Sequence, residues 1–363
     1  MNNDTTIGLD LGNKKHKAVG FDGRGKVILK CELNNDKETL GAFFKEHAGA
    51  TVAMETGTHC RWISSLAKHC GCDAIVGNAR KLRAIWESSQ KNDWRDAQMI
   101  ANIARTSREL FHPVSLRDDE HHALVQLIEL RDIVVAQRTQ AVNAIRGMCK
   151  ACGYMLPKCD AGGFHRHLDE IPPSEYWKFE PLVDRLESLA ENISMYDWKI
   201  QDYADVHFKE DVELLRTIPG IGPITSCAYA AFAPDPKKFG SPRDAGCYFG
   251  LTAGQDQSGD IDKPKRITKG GNEMMRKLLV TAANYILRES SKDSALKRYG
   301  ERICARGGKI ARRKAKVAVA RKLAVVMMAM LKTRKPYQDN LAVKAEAAEP
   351  ANVTWDFQRR KER

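Results

Sequence analysis

The first hundred residues alternate between short apolar runs and segments with helical spacing. The run "TTIGLDLG" predicts a buried strand, and "HKAVGFDGRGKVILKCEL" predicts a hairpin because the turn "DGRG" separates two parts rich in Val, Ile and Leu. Helical spacing follows in "KETLGAFFKEH", "CRWISSLAKHC" and "DAQMIANIARTS", and the short runs "ATVAMET" and "CDAIVG" between them predict further strands. This order predicts an α/β layer with a mixed sheet over residues 1–115.

The pattern changes to long helical periodicity after about Asp118. The segment 121–150 has no Pro and no Gly before Gly147, and its apolar residues recur at intervals of three, four and seven. This spacing predicts a long amphipathic helix, and a second helical run covers about 176–209. Over residues 116–210 we therefore expect a helical hairpin or coiled-coil arm that mediates oligomerisation or contacts RNA. An ordinary helix bundle explains the same pattern equally well.

Residues 211–335 predict a third, mostly helical region. The stretch "IPGIGPITS", which begins at Ile218, is typical of a helix-hairpin-helix. Its glycines, Gly220 and Gly222, would expose backbone N–H groups where the next helix begins, and such groups bind a DNA phosphate without reading sequence. The alternative is a plain Gly-Pro turn between two helices. The polar residues 336–363 are expected to form a mobile tail.

The net charge of +13 and the isoelectric point near 9.2 favour a polyanionic partner. The excess is localised, since twelve Lys or Arg and no Asp or Glu lie between Arg302 and Gln338. A membrane partner is less favoured than nucleic acid, because the longest apolar run, "LAVVMMAML", is far shorter than the roughly 18 residues of a membrane span. We expect the helix 309–322 to bind nucleic-acid phosphates through Lys309, Arg312, Arg313, Lys316 and Arg321.

The ten cysteines are scattered without a disulfide framework. The opening "MNNDTTIGLDLG" enters a strand at once and leaves no room for a signal peptide, so reduced thiols in the cytoplasm are expected. One group could instead hold zinc, although its single C-x-x-C pair lacks a matching second pair. Its members are Cys149, Cys152, Cys159, His165 and His167.

Four acids stand where an α/β sheet places functional residues. Asp10 ends the first strand and Glu55 ends the run "TVAMET", while Asp93 and Asp96 begin a helix. Functional groups collect at the carboxyl ends of strands and at neighbouring helix starts, and clustered carboxylates suit Mg²⁺. Two such ions can act on a phosphate together. Each acid also has an ordinary explanation, such as a turn residue at Asp10 or a helix cap at Asp93.

A polar loop, "GQDQSGDIDKPKRITKGGN", contains Ser258 before Gly259. A Ser-Gly pair is usually only a turn. Here cations follow closely, and a serine that attacks a phosphodiester needs cations to stabilise charge on the phosphoryl oxygens. These cations are Lys263, Lys265, Arg266 and Lys269.

Taken together, these motifs resemble the DEDD-type insertion-sequence transposases that act as bridge-RNA-guided serine recombinases, which have pilin-gene invertases among their relatives. The resemblance runs from about Ile7 to Leu331. The four acids in "GLDLG", "AMETG" and "KNDWRDAQMIA" match the family's Holliday-junction-resolvase-like domain, which has an α/β ribonuclease H-like fold. The segments "IPGIGPITS", "FGSPRDAGCYFGLTAG" and "SGDIDKPKRITKGGNEMMRKLL" follow the order of its transposase domain, and Ser258 falls at the nucleophile's position. Many members have Pro after "GL-x", where this chain has Ala253.

The resemblance implies a transposase or site-specific DNA recombinase in which Asp10, Glu55, Asp93 and Asp96 hold Mg²⁺, or Mn²⁺, on the scissile phosphate. Ser258 would attack that phosphate and form a covalent phosphoserine. The implied partners are double-stranded DNA, a guide RNA and further copies of the chain in a dimer or tetramer, without a membrane, at the nucleoid in a bacterial cytoplasm. Three alternatives remain: a Holliday-junction-type endonuclease that uses the acids and water, a DNA invertase, and a non-catalytic DNA-binding scaffold.

Overall fold

The computed structural model describes residues 4–83, 92–233, 235–258, 261–262 and 265–339. It divides the chain into two compact units, Met1–Leu116 and Arg117–Arg363. The first unit contains a five-stranded sheet with helices on both faces, and the second is mostly helical. The prediction of a mixed α/β N-terminal part followed by a mostly helical remainder is therefore confirmed.

The sheet of the first unit has the strand order β3-β2-β1-β4-β5. Its central strand β1 pairs antiparallel with β2 on one side and parallel with β4 on the other. The strand β4 in turn pairs parallel with β5. The predicted hairpin is β2 and β3, which are joined by a turn in which the Asp22 carboxylate accepts from the Arg24 and Lys26 backbone amides. The strands are β1 (Thr6–Asp10), β2 (Lys15–Phe21), β3 (Val27–Asn34), β4 (Thr51–Glu55) and β5 (Asp73–Gly77).

Helices cover the two faces of this sheet unequally. On one face, Ile7 and Leu9 of β1 share a core with Leu40 and Phe44 of α1 and with Ile63 of α2. On the other face α4 packs across β1, β2 and β4. The sequence pattern predicted these three helices and missed the short α3. The helices are α1 (Lys37–Glu46), α2 (Cys60–His69), α3 (Ala79–Arg83) and α4 (Asp93–Thr106).

Close approach of α4 to β1 depends on Gly8. A Cβ atom at Gly8 would lie 2.2 Å from the Ala97 carbonyl oxygen and 2.5 Å from the Ala101 amide nitrogen. Both distances are well inside van der Waals contact, so no other residue fits without moving the helix. Small residues on α4 complete the contact, since Ala97 and Ala101 are fully buried.

The second unit is built from nine α-helices, two short 3-10 helices and one short hairpin within the described residues. The apolar run "LAVVMMAML" forms the buried C-terminal half of α13, and α8, α10, α11 and α12 pack against this helix. No helix among the described residues has the length and apolar character needed to span a membrane. The elements are α5 (Asp119–Ala151), α6 (Pro173–Tyr176), α7 (Glu180–His207), α8 (Lys209–Arg216), α9 (Pro223–Phe232), α10 (Asp244–Tyr248), β6 (Gln257–Ser258), β7 (Ile261–Asp262), α11 (Glu273–Ile286), α12 (Ala295–Cys304) and α13 (Gly308–Thr333).

The two long helices α5 and α7 pack against one another, as the periodicity predicted. Ile128 of α5 and Ile200 of α7 belong to the core that α13 dominates. Farther along, Ile145 and Val183 belong to a separate small core with Phe164. The pair is thus an ordinary bundle at one end and has its own core at the other. A role in oligomerisation or RNA contact stays a prediction. Of the predicted tail, residues 336–363, the part from residue 340 onward lies outside the described residues.

Replacing Gly8 with Ala should lower the free energy of unfolding of the first unit by about 1–3 kcal/mol, because the added methyl group forces α4 away from β1. Thermal unfolding followed by circular dichroism measures this. The matched control is Gly41→Ala in α1, where an added Cβ has nothing within 4 Å. That change should be neutral or raise stability by about 0.5–1 kcal/mol, because Gly is unfavourable inside a helix. Equal effects of the two variants would contradict the packing argument.

Candidate active site and nucleic-acid surfaces

Three of the four predicted acids converge in the first unit. Carboxylate oxygens of Asp10, Asp93 and Asp96 all lie within 4.8 Å of one another. Asp10 ends β1 on the face that α4 covers, because it is two residues from Gly8 in a strand whose side chains alternate. The start of α4 is fixed by Asn92, whose side chain accepts a hydrogen bond from the Trp94 amide at 3.0 Å. The close packing of α4 on β1 thereby brings the three acids together.

Glu55 lies on the same face of the sheet as Asp10. It does not belong to the group of three acids whose carboxylate oxygens lie within 4.8 Å of one another. It ends β4, which runs parallel to β1 with Ala53 paired to Gly8. Ala53 packs in the same core as Ile100 of α4, so alternation places Glu55 on the α4 face as well. Asp10 and Glu55 therefore stand at the carboxyl ends of neighbouring parallel strands, which is the arrangement that the sequence predicted.

The chemistry of this acid group suits a divalent cation. Asp10 and Asp96 are half-buried and Asp93 is exposed, so the group is open to solvent on one side. Carboxylates this close repel one another when ionised, and a hard cation with oxygen ligands removes that repulsion. The N-terminal end of α4 lowers the repulsion only in part, because a helix end carries about half a positive charge.

Ser258 lies in the second unit, in β6, and its backbone pairs with Ile261 of β7. Gly259 and Lys263 lie outside the described residues. Below the hairpin, Ala253 forms a bridge with Ile267, and the Thr268 amide donates to the Thr252 carbonyl at 2.9 Å. Backbone hydrogen bonds therefore join the two sides of the loop that carries Ser258, both at its base and at β6 and β7.

The base of this loop is closed by glycines and one arginine. Gly250 and Gly271 have φ of 67° and 72°, and a Cβ at Gly250 would lie 2.1 Å from the Gly270 carbonyl oxygen. The Arg276 Nη1 atom lies 2.6 Å from the Gly270 oxygen, 3.1 Å from the Gly271 oxygen and 3.3 Å from the Phe249 oxygen. Arg276 thus holds carbonyl groups from both ends of the loop. Sequence patterns did not indicate it, because a single arginine on a helix has no distinctive spacing.

Of the cations predicted to follow Ser258, the structure describes three. Lys265 forms an ion pair with Asp256 at 2.7 Å across the loop, so part of its charge is already balanced. Arg266 and Lys269 are exposed, and Lys269 has a positive φ of 56°. The last two are therefore the better placed to meet an anion in solution.

The predicted hairpin turn connects α8 to α9. Gly220 has φ of 89°, and an added Cβ would lie 2.8 Å from Ile286 of α11. Gly222 is the exposed N-cap of α9, and Pro223 follows in its first turn. The turn therefore presents the positive end of α9 at the surface, which is the geometry required to bind a phosphate. Its role in DNA contact stays a prediction.

The basic helix is the N-terminal half of α13. Lys309, Arg312, Arg313 and Arg321 are exposed, and Lys316 is half-buried. No acid lies in the first turn of α13. Cations near a helix N-terminus are unfavourable because that end of the helix dipole is positive. The arrangement therefore costs stability unless an anion binds there.

The possible zinc group that the sequence left open has no support among the described residues. Its five Cys and His side chains do not bring three ligand atoms together. Instead, the Arg146 guanidinium donates to the Cys159 sulfur at 2.8 Å, and His167 pairs with Glu170 at 2.8 Å. All ten cysteines of the chain are free thiols.

Two family models match the chain in the order of its two units. Residues 7–152 match the DEDD transposase family of IS110, and residues 212–301 match the transposase IS116/IS110/IS902 family. The first match contains all four acids, and the second contains the hairpin turn and the loop with Ser258.

Curated relatives match over nearly the whole chain. The transposase for insertion sequence element IS1111A of Coxiella burnetii is 27% identical over 339 residues, which cover 92% of this chain and 91% of the relative. A probable family 20 transposase of Pseudomonas aeruginosa is 26% identical over 349 residues, which cover 93% of this chain and 99% of the relative. The transposase for insertion sequence element IS1328 of Yersinia enterocolitica is 28% identical, over 78% of this chain and 84% of the relative.

Replacing Arg276 with Met should loosen the loop while leaving the helical fold intact, because four carbonyl groups lose a charged donor. Hydrogen bonds to charged groups contribute about 1.5–3 kcal/mol each. We expect faster tryptic cleavage between residues 252 and 269 at an unchanged far-ultraviolet circular dichroism spectrum. The control is Lys277→Met on the next position, which breaks only an exposed pair with Asp132. Equal cleavage rates in the two variants would contradict the role of Arg276.

Proposed function

We propose that the chain is an insertion-sequence transposase of the IS110 family, and that it cuts and rejoins DNA with Mg²⁺ at the acid group and Ser258 as nucleophile. The two matched domains and the relatives that match nearly the whole chain support the family. The observation that carries the proposal is the convergence of Asp10, Asp93 and Asp96 within 4.8 Å, inside the part of the chain that matches the DEDD family. Glu55 completes the set from the neighbouring strand, in a sheet whose strand order fits a ribonuclease H-like domain.

The acid group would hold one or two Mg²⁺ ions, which supply Lewis-acid stabilisation of charge on a phosphate. In the proposed reaction the Ser258 Oγ attacks the phosphorus atom of a DNA phosphodiester. A serine–phosphate ester forms, the bond to one DNA oxygen breaks, and that strand leaves with a free hydroxyl group. Because the ester keeps the free energy of the original bond, the hydroxyl of another DNA end can reverse the reaction and join to the phosphate without ATP.

The acids lie in the first unit and Ser258 lies in the second, and in the proposed reaction they act on the same DNA phosphate. They can come from one chain or from two. We propose that the chain works as a dimer or tetramer in which α5 and α7 supply contacts between copies.

Nucleic-acid binding is proposed for three surfaces of the second unit: the turn at Gly220 and Gly222, the loop that carries Ser258, and the N-terminal half of α13. The exposed Lys309, Arg312 and Arg313 would contact phosphates and so bind all sequences alike. Sequence choice would then come mainly from a guide RNA that pairs with DNA.

A water-dependent endonuclease is the second candidate, and the open acid group favours it because two metal ions and water are sufficient to hydrolyse a phosphodiester. The two candidates differ in one product. Only the serine mechanism leaves DNA covalently attached to protein.

Ser258→Ala should abolish covalent protein–DNA adducts and strand cleavage while DNA binding is retained. Adducts formed by the unchanged protein in Mg²⁺ would be trapped by denaturation and separated by gel electrophoresis. The control is Thr268→Ala, which removes an exposed hydroxyl from the same loop and should still form adducts. If Ser258→Ala cuts DNA at a rate near that of the unchanged protein, the nucleophile is water and the endonuclease candidate replaces ours.

Asp93→Asn should have opposite effects on the free and the metal-bound protein. Without metal, removal of one charge relieves repulsion and should raise stability by a few tenths of a kcal/mol. The affinity for Mn²⁺, measured by calorimetry, should fall at least about tenfold because one anionic ligand is lost. Glu191→Gln in the middle of α7 removes an exposed acid elsewhere and should change neither quantity. Unchanged Mn²⁺ affinity in Asp93→Asn would exclude Asp93 as a ligand.

A further inference from the structure

A group of lysines lies on the sheet beside the acids. In the pairing of β1 with β2, Lys17 stands directly opposite Asp10. Residues that are directly opposite in an antiparallel pair point to the same face, so Lys17 lies on the α4 face next to Asp10. Lys30 of β3 stands opposite Val19, two residues along β2 from Lys17, and therefore lies on that face too.

Trp94 connects these lysines to the acids. It lies between Asp93 and Asp96 in the first turns of α4, and it packs against the core formed by Val19 and Phe21. The ammonium nitrogens of Lys17 and Lys30 each lie 4.9 Å from the centroid of its ring. An indole attracts an ammonium group without neutralising it, so the ring fixes two positive charges beside the acid group.

The Glu32 carboxylate balances only part of the positive charge of the lysines on this part of the sheet. Glu32 forms ion pairs with Lys15, at 2.5 Å, and with Lys17. Hydrogen bonds from Lys15 and Lys17 lower the pKa of Glu32 to about 2, so this group carries its negative charge at neutral pH. Glu32 therefore supplies one negative charge for the ammonium groups of Lys15 and Lys17, and Lys30 is exposed on the edge strand β3, on the side away from the acids.

We propose that Lys17, Lys30 and Trp94 bind the sugar-phosphate backbone of the DNA strand next to the phosphate that is cut. The proposal rests on the proposed function, because it takes the acid group as the place where the scissile phosphate is held. Neighbouring strands are ~4.8 Å apart, so Lys30, two strands from Asp10, lies on the order of 10 Å from it. That distance is spanned by the backbone of a few nucleotides at most.

This arrangement sets the direction in which the DNA strand crosses the first unit. Metal ions at the acids would hold the scissile phosphate, Lys17 would meet a phosphate beside it, and Lys30 would meet one farther toward the edge strand β3. Trp94 keeps both lysines in place before DNA arrives, which reduces the conformational entropy lost on binding. The competing explanation is that the lysines serve only to anchor Trp94 on the sheet.

The test is the salt dependence of DNA binding by the full-length chain. The probe is a duplex of mixed sequence, with Ca²⁺ in place of Mg²⁺ so that no strand is cut. The double variant Lys17→Met and Lys30→Met keeps the aliphatic stems against the ring and removes two charges. Its slope of log affinity against log salt should be less steep than that of the unchanged protein by about 2, and its affinity should fall roughly tenfold. Lys17→Arg with Lys30→Arg should restore both.

The matched control removes the same charge from the opposite face of the sheet. Lys37→Met with Lys45→Met changes two exposed lysines of α1 and should leave the slope unaltered. If the site variant lowers the melting temperature but keeps the slope of the unchanged protein, the lysines only anchor Trp94 and the proposal is wrong. A slope change of equal size in the control would also overturn it. Adduct formation by Ser258 is measured separately, so failure of the serine mechanism leaves this result interpretable.

Discussion

The contact between α4 and β1 at Gly8 is the constraint on which the candidate site depends. Without a side chain at Gly8, the backbone of α4 reaches the strand at the level of Ala97 and Ala101. Because Asp10 is two residues farther along β1 and Asp96 is one residue before Ala97, this contact determines how far apart the acids stand. The same contact places Trp94 over β2, where the two lysines meet its ring. A single backbone approach thus positions both the negative and the positive groups of the site.

Much of the first unit could be predicted because its local signals agree. The strands are short and apolar, the turn at Asp22 has the residues that a hairpin requires, and the acids stand at strand and helix ends. Motif order was equally informative for function, since two unrelated halves follow one another as in the IS110 transposases. Neither prediction required long-range contacts to be known. The boundary within the helical part, the roles of the site residues and the guide RNA remain predictions.

The residues that were missed act across long sequence separations. Lys17 becomes relevant only when the register of β1 with β2 is known, and Trp94 looks like an ordinary core residue in a helical pattern. Arg276 belongs to no sequence motif, and it matters because it donates hydrogen bonds to carbonyl groups up to 27 residues away along the chain. The long helices α5 and α7 show what a strong local pattern fails to predict. Their periodicity gave their length, but it could not show that one end joins the central core and the other does not.

The two halves of α13 would link the proposed nucleic-acid binding to the stability of the second unit. The first half places cations at the positive end of the helix dipole, and the second half forms the centre of the core. One continuous helix therefore carries an electrostatic penalty at one end and the main apolar contacts at the other. A polyanion that binds only the folded form removes that penalty and adds about 2.7 kcal/mol when present at a hundred times its dissociation constant. Free chains would then unfold and be degraded sooner than bound ones, so the amount of nucleic-acid partner would limit how much of the protein persists in a cell.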